Sequence, residues 1–168
     1  MLYVAVGCRV LLVIVFAVAL ASKVSGREAW RRFATSVTDM TTWRSPAVPF
    51  AVAAGEAAVI VLTAVPLGWA GAAGFTLAAV LLGGFTVATL LVMRRGAAVP
   101  CRCFGASETP LGVPHVVRNL VLVSLAVLGL VATAGSGAAD VGIAVLAGLL
   151  GAALGVLFTR WDDLVSLV

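Results

Sequence analysis

The chain has 168 residues, 62% of them hydrophobic and 11% charged, with a net charge of +4 and a mean hydropathy of +1.19. Soluble domains carry about 25% charged residues, so this composition excludes a soluble globular fold and points to a polytopic membrane protein. Ten of the eleven basic residues are Arg, concentrated in loops beside apolar runs; the lipid bilayer with its anionic headgroups is therefore the expected partner, and no basic surface is left for nucleic acid.

Five apolar runs follow one another at residues 2–22, 47–65, 70–93, 116–134 and 141–159. Each approaches the ~20 residues of a spanning helix, and lipid leaves such runs no alternative to a helix. The expected fold is all-α: a polytopic transmembrane bundle of four to five helices, forming a single domain over residues 1–168. The count is open at the first run. Arg9, the apolar stretch 10–20 and Ala19-Leu20-Ala21 also match a signal peptide with its cleavage site. Its removal would leave four spans.

Lys23 closes the first run. A cation there suits the C-terminus of a helix and snorkels easily to the interface. Ser25 and Glu28 then have the spacing of a capping box. Trp30, Phe33 and Val37 share one helical face, with Arg27, Arg31 and Arg32 mostly off it. This reads as a short amphipathic interfacial helix after the first span. A connecting helix packed on the bundle fits the pattern equally.

The second run carries Glu56, the only acidic residue inside the apolar runs. A carboxylate at that depth is costly and marks a proton site, a ligand-binding group or an ion pair. Arg9 is a plausible partner. Measured from the face where the first helix ends, Glu56 lies about 14 Å deep and Arg9 about 20 Å, a gap that a long side chain bridges. A purely structural pair, or a protonated Glu bonded to a neighbouring helix, is the plainer alternative.

Most of the chemistry-bearing residues surround the loop between the third and fourth runs. Arg94-Arg95 precede it, Cys101-Arg102-Cys103-Phe104-Gly105 lie within it, and His115 and Arg118-Asn119 follow. Thiol exchange needs a thiolate, an accessible sulfur and a resolving partner. A C-x-C pair supplies the partner within a small ring, whose strain eases reduction. Arg102, Arg94 and Arg95 favour the thiolate. Cys101 and Cys103 are thus the expected redox pair, with Arg102 and His115 in support, His115 as a proton acceptor. Arg118 and Asn119 open the next helix and are placed to hold the loop or an anionic group near the thiols. The plainer readings are inert thiols, an interfacial His and a snorkelling Arg.

Cys101, Cys103 and His115 offer three soft ligands, but Cys8, roughly 20 Å away, is a poor fourth, so no metal site is expected. No cofactor is evident; a quinone is specified by no residue. Gly148, Gly151 and Gly155 in the last run, the latter two a G-x-x-x-G, read as packing within the chain rather than as a dimer seam.

Let side A be the face reached by the end of the first helix. It carries Lys23, Arg27, Arg31, Arg32, Arg44, Arg94, Arg95, Arg102 and Arg160, against Arg9 alone near side B. The positive-inside rule puts side A in the cytoplasm.

Together these residues resemble the MauE family, the methylamine-utilisation protein E group related to DoxX-type membrane proteins. Four pieces carry the resemblance in order. The first is a helix with Arg9 near its start, closing in Ala21-Ser22-Lys23-Val24. The second is a helix opening near Pro49 and carrying Glu56. The third is Arg94-Arg95 followed by Pro100-Cys101-Arg102-Cys103-Phe104-Gly105. The fourth is Val117-Arg118-Asn119-Leu120. The resemblance runs to about residue 130, and C-x-C-F-G with the downstream Arg-Asn is its specific part. Arg102 holds a variable position and the N-terminus is short.

The resemblance implies a redox-associated protein of the bacterial cell (inner) membrane, with its first helix retained, beside a thioredoxin-like partner. In the namesake system it implies maturation of methylamine dehydrogenase, a secreted client rich in disulfides. Relatives outside that metabolism leave the client open. The family role favours thiols on the extracytoplasmic face, against the charge count. The expected activity is thiol-disulfide exchange, with two alternatives: a non-enzymatic membrane scaffold or chaperone for a secreted redox protein, and a small transporter using Glu56.

Overall fold

The computed structural model describes residues 1–40, 45–96, 112–135 and 140–161. Among them the chain forms helices α1 (Leu2–Val24), α2 (Arg27–Met40), α3 (Ala47–Ala64), α4 (Gly68–Arg94), α5 (Val113–Thr133) and α6 (Val141–Thr159), and no strand. All but α2 are long and apolar enough to cross a membrane. The chain is an all-α, multi-pass membrane protein with five candidate spans.

The spans follow the apolar runs, with shifted ends. α5 starts at Val113 rather than 116, because Pro114 occupies its first turn, where a missing N–H costs nothing and the fixed φ suits a helix.

α1 occupies the centre. It packs against α6, α3, α5 and α2, while α4 closes the other side against α5 and α3. The buried positions of α1 (Ala5, Cys8, Leu11, Leu12, Val15, Phe16, Ala19 and Lys23) recur at helical spacing. Leu11, Leu12, Val15 and Phe16 share one core cluster with Val59, Phe75, Leu122 and Ala126. Cleavage after Ala21 would strip this core of its central element, which favours the retained-helix reading.

The α1–α6 seam depends on glycine. A Cβ at Gly151 would collide with the Gly7 carbonyl, and one at Gly155 would lie 3.1 Å from the Leu11 carbonyl oxygen. The G-x-x-x-G of α6 thus packs within the chain, where small residues let helices approach closely.

Two contacts establish which ends lie together. The backbone N–H of Asp140 donates to the Tyr3 hydroxyl at 3.0 Å. Arg9 reaches the α3–α4 turn, donating to the Val65 carbonyl at 2.8 Å. Side B therefore gathers the N-terminus, the α3–α4 turn and the start of α6. Side A gathers the end of α1, α2, the end of α4 and the start of α5.

α2 is amphipathic and packed on the bundle. Phe33, Ser36, Val37 and Met40 are buried, and Arg27, Arg31 and Arg32 are exposed. Trp30 leans on Phe50, with ring centroids 4.7 Å apart. The expected Ser25–Glu28 capping box is corrected by what these side chains do instead. Ser25 is the C-cap of α1, and its hydroxyl turns back to the Ser22 carbonyl at 3.2 Å. Glu28 pairs with Arg32 at 3.0 Å on the exposed face.

Candidate functional site

The interior of the bundle is polarised. Among the described residues its side-B half buries one polar side chain, Thr63, whose hydroxyl donates to the Val59 carbonyl of its own helix at 2.6 Å, with Arg9 half-buried at its end. The other buried polar side chains among the described residues are Lys23, Ser36, Glu56, Thr86, Thr89, His115, Arg118 and Asn119. They sit at the end of α1, on α2, midway along α3, in the side-A part of α4 and in the first turns of α5, all in the side-A half but Glu56, whose carboxylate joins that half at Lys23. Thr86 and Thr89 are satisfied within α4, each donating to a carbonyl one turn back at 2.8 Å. Apart from the Ser36 hydroxyl on α2, the groups that remain are Lys23, Glu56, His115, Arg118 and Asn119.

Lys23 and Glu56 form the centre of this set. The ammonium Nζ lies 2.8 Å from Glu56 Oε1, with side chains 1% and 2% exposed. Nζ also donates to the Ala19 carbonyl at 3.1 Å and lies 5.0 Å from the centroid of the Phe33 ring, a cation–π contact. Glu56 Oε2 is buried and has no hydrogen-bond partner among the described residues. The pair can hold a proton or a polar ligand group at Oε2 while Lys23 keeps the carboxylate compensated. The expected snorkelling of Lys23 is thereby corrected. Helical side chains lean toward the N-terminus, which carries the Lys23 ammonium inward, back over Ala19.

The expected pairing of Arg9 with Glu56 is also corrected: Glu56 is engaged by Lys23, and Arg9 works at the other end of the bundle. Its guanidinium donates to the Val65 carbonyl at 2.8 Å and, more weakly, to the Leu67 carbonyl at 3.5 Å. Val65 is the C-cap of α3, where carbonyls lack intrahelical donors and a cation is favoured. Gly71 makes the space, since a Cβ there would collide with the Arg9 guanidinium.

α5 presents His115, Arg118 and Asn119 on the buried stripe that continues through Leu122 and Ala126. The Gly112 N–H donates to His115 Nδ1 at 3.3 Å, so the ring proton of a neutral His115 sits on Nε2. Arg118 is 1% exposed; it is turned into the bundle, and the snorkelling alternative does not hold.

A family model for methylamine utilisation protein MauE matches residues 1–132. The chain belongs to the MauE family. No curated protein and no solved structure matches it. The family match takes in α1 to α5 almost completely, and with them Lys23, Glu56, His115, Arg118 and Asn119; it leaves out α6.

In this MauE-family chain Cys101, Arg102 and Cys103 lie outside the described residues. The segment that carries them follows Gly96 and precedes Gly112, both at the side-A end. Gly96 is described and has φ 65°, a left-handed conformation that suits glycine as the chain leaves α4. Cys8 is buried in the core cluster of α1.

Sequence reasoning passed over Ser36, Thr86 and Thr89, whose burial depends on tertiary packing. It named Lys23 without its partner. The signal available was that Lys23 is the chain's only lysine, one turn past Ala19 in a helix whose one other charged side chain is Arg9.

Proposed function

We propose that this MauE-family protein exchanges thiols and disulfides at its side-A surface through Cys101 and Cys103. Its partner is a thioredoxin-like protein, and the exchange supports a disulfide-containing client. The observation that carries this reading is the polarised interior. Lys23, Glu56, His115, Arg118 and Asn119 are buried at the same end of the bundle where residues 97–111 leave α4 and return to α5. A bundle that served only as an anchor has no need of that polarity, which is expensive in a membrane.

The chemistry balances without a cofactor. A thiolate at one cysteine attacks a sulfur of the partner's disulfide, a mixed disulfide forms, and one partner thiolate leaves. The second cysteine then attacks the first, the C-x-C disulfide closes, and the partner leaves as a dithiol. Two electrons and two protons pass from the C-x-C dithiol to the partner; the reverse sequence reduces the C-x-C disulfide.

The buried groups suit that work. Lys23 and Arg118 are both buried cations, and positive charge beside a thiol favours the thiolate. Arg102 adds to it from within the motif. With Nδ1 taken by the Gly112 N–H, His115 offers its Nε2–H to a thiolate rather than accepting a thiol proton, and Arg118 and Asn119 serve to position the loop.

The membrane is the bacterial inner membrane. The charge count favours the cytoplasm for side A, client maturation favours the outside, where disulfides persist, and the face is open between them. Labelling Cys101 and Cys103 in intact cells with a membrane-impermeant maleimide, before and after a reductant, tests the reading and fixes the face. Thiols that become labelled only after reduction support the exchange. Thiols that stay fully reduced under every redox condition overturn it.

A further inference from the structure

α2, α3 and α4 leave an apolar groove between them on the side-A half of the bundle. Val37 and Met40 of α2 close its upper end. Val48 and Val52 of α3 form one wall, and Leu81, Gly84, Phe85 and Ala88 of α4 form the other. The groove opens sideways, past Gly84 and Val80, which are exposed, at a depth where the medium is lipid. Only a hydrocarbon chain fits such a lining without a desolvation cost.

The α4 wall shows what sits above that chain. Leu81, Ala88 and Arg95 are seven residues apart, two turns on one stripe of the helix, so Arg95 lies about 10 Å above Ala88. Arg94 and Arg95 are both exposed at the end of α4. Two guanidiniums above an apolar groove match an anionic headgroup above its acyl chain.

We infer that the groove between α2, α3 and α4 is a binding site for one anionic phospholipid, its acyl chain along Gly84 and its phosphate at Arg94 and Arg95. The site does not depend on the thiols.

Two adjacent glycines provide the test. A Cβ at Gly83 or at Gly84 would meet nothing within 4 Å, so both positions accept a side chain without a clash, and only Gly84 lines the groove. The full-length protein, its Gly83→Leu variant and its Gly84→Leu variant are reconstituted in nanodiscs of equal phosphatidylglycerol and phosphatidylcholine. They are then released into mild detergent and weighed by native mass spectrometry, with folding checked by thermal unfolding. The native protein and Gly83→Leu should retain one phosphatidylglycerol, and Gly84→Leu should retain about tenfold less. Arg94→Gln with Arg95→Gln should keep a bound lipid but lose the preference for phosphatidylglycerol. Equal retention by the two leucine variants, or a retained lipid that mirrors the nanodisc mixture in the native protein, would overturn the site.

Discussion

Lys23 of α1 and Glu56 of α3 meet at 2.8 Å in a setting that water does not reach. Removing one partner of such a pair leaves a charge stranded in a low dielectric, a loss of about 3–5 kcal/mol in buried pairs. Lys23→Met and Glu56→Leu should each lower the thermal midpoint in detergent markedly. The double variant should recover most of the loss, because two apolar side chains of similar volume leave nothing unpaired. Losses that simply add would show that the two residues are not coupled.

Arg9 and Gly71 should be coupled in the same way at side B. Arg9→Met removes hydrogen bonds from a charged donor, each worth about 1.5–3 kcal/mol. Gly71→Ala displaces the guanidinium from the same carbonyls and should cost a comparable amount. Once Arg9 is already Met, Gly71→Ala should cost little more. A double-mutant cycle on unfolding midpoints checks this.

The α1–α6 seam predicts a contrast between neighbouring glycines. At Gly151 an added Cβ would collide with the backbone of Gly7, which cannot move aside. At Gly148 the nearest atom is a Val10 methyl at 3.7 Å, an ordinary contact. Gly151→Ala should therefore destabilise by about 1–3 kcal/mol, the usual cost of overpacking. Gly148→Ala should be close to neutral. Comparable midpoints for the two variants would contradict the close crossing.

The central position of α1 predicts that the purified protein keeps it. Intact mass should include residues 1–21, and an N-terminal tag should stay with the folded chain. A mature N-terminus at Ser22 would contradict the packing of Leu11, Leu12 and Phe16 in the core.

The five spans were legible because hydropathy acts locally and lipid permits only helices. The interior pairings were not, because they depend on which helices become neighbours. Arg9 and Glu56 looked matched by depth along their own helices. In the folded chain Arg9 faces the turn after α3, whose bare carbonyls at Val65 and Leu67 no sequence pattern advertises. Lys23 looked like an interfacial cation because it ends a helix, yet its side chain leans inward over Ala19. Ser25 and Glu28 had capping-box spacing, but α1 ran on to Val24 and claimed Ser25 as its own C-cap. The buried stripe of α5 was half visible: His115, Arg118 and Asn119 were named, and only the packing of α5 on α1 and α4 turned them inward.

The proposed exchange by Cys101 and Cys103 is tested most directly by trapping. Cys101→Ser and Cys103→Ser are expressed singly in cells, free thiols are blocked at lysis, and the protein is run without reductant. One variant should retain a mixed disulfide with a thioredoxin-like protein, released by reductant and absent from the double variant. If neither variant carries a mixed disulfide and both keep function, the exchange reading is contradicted.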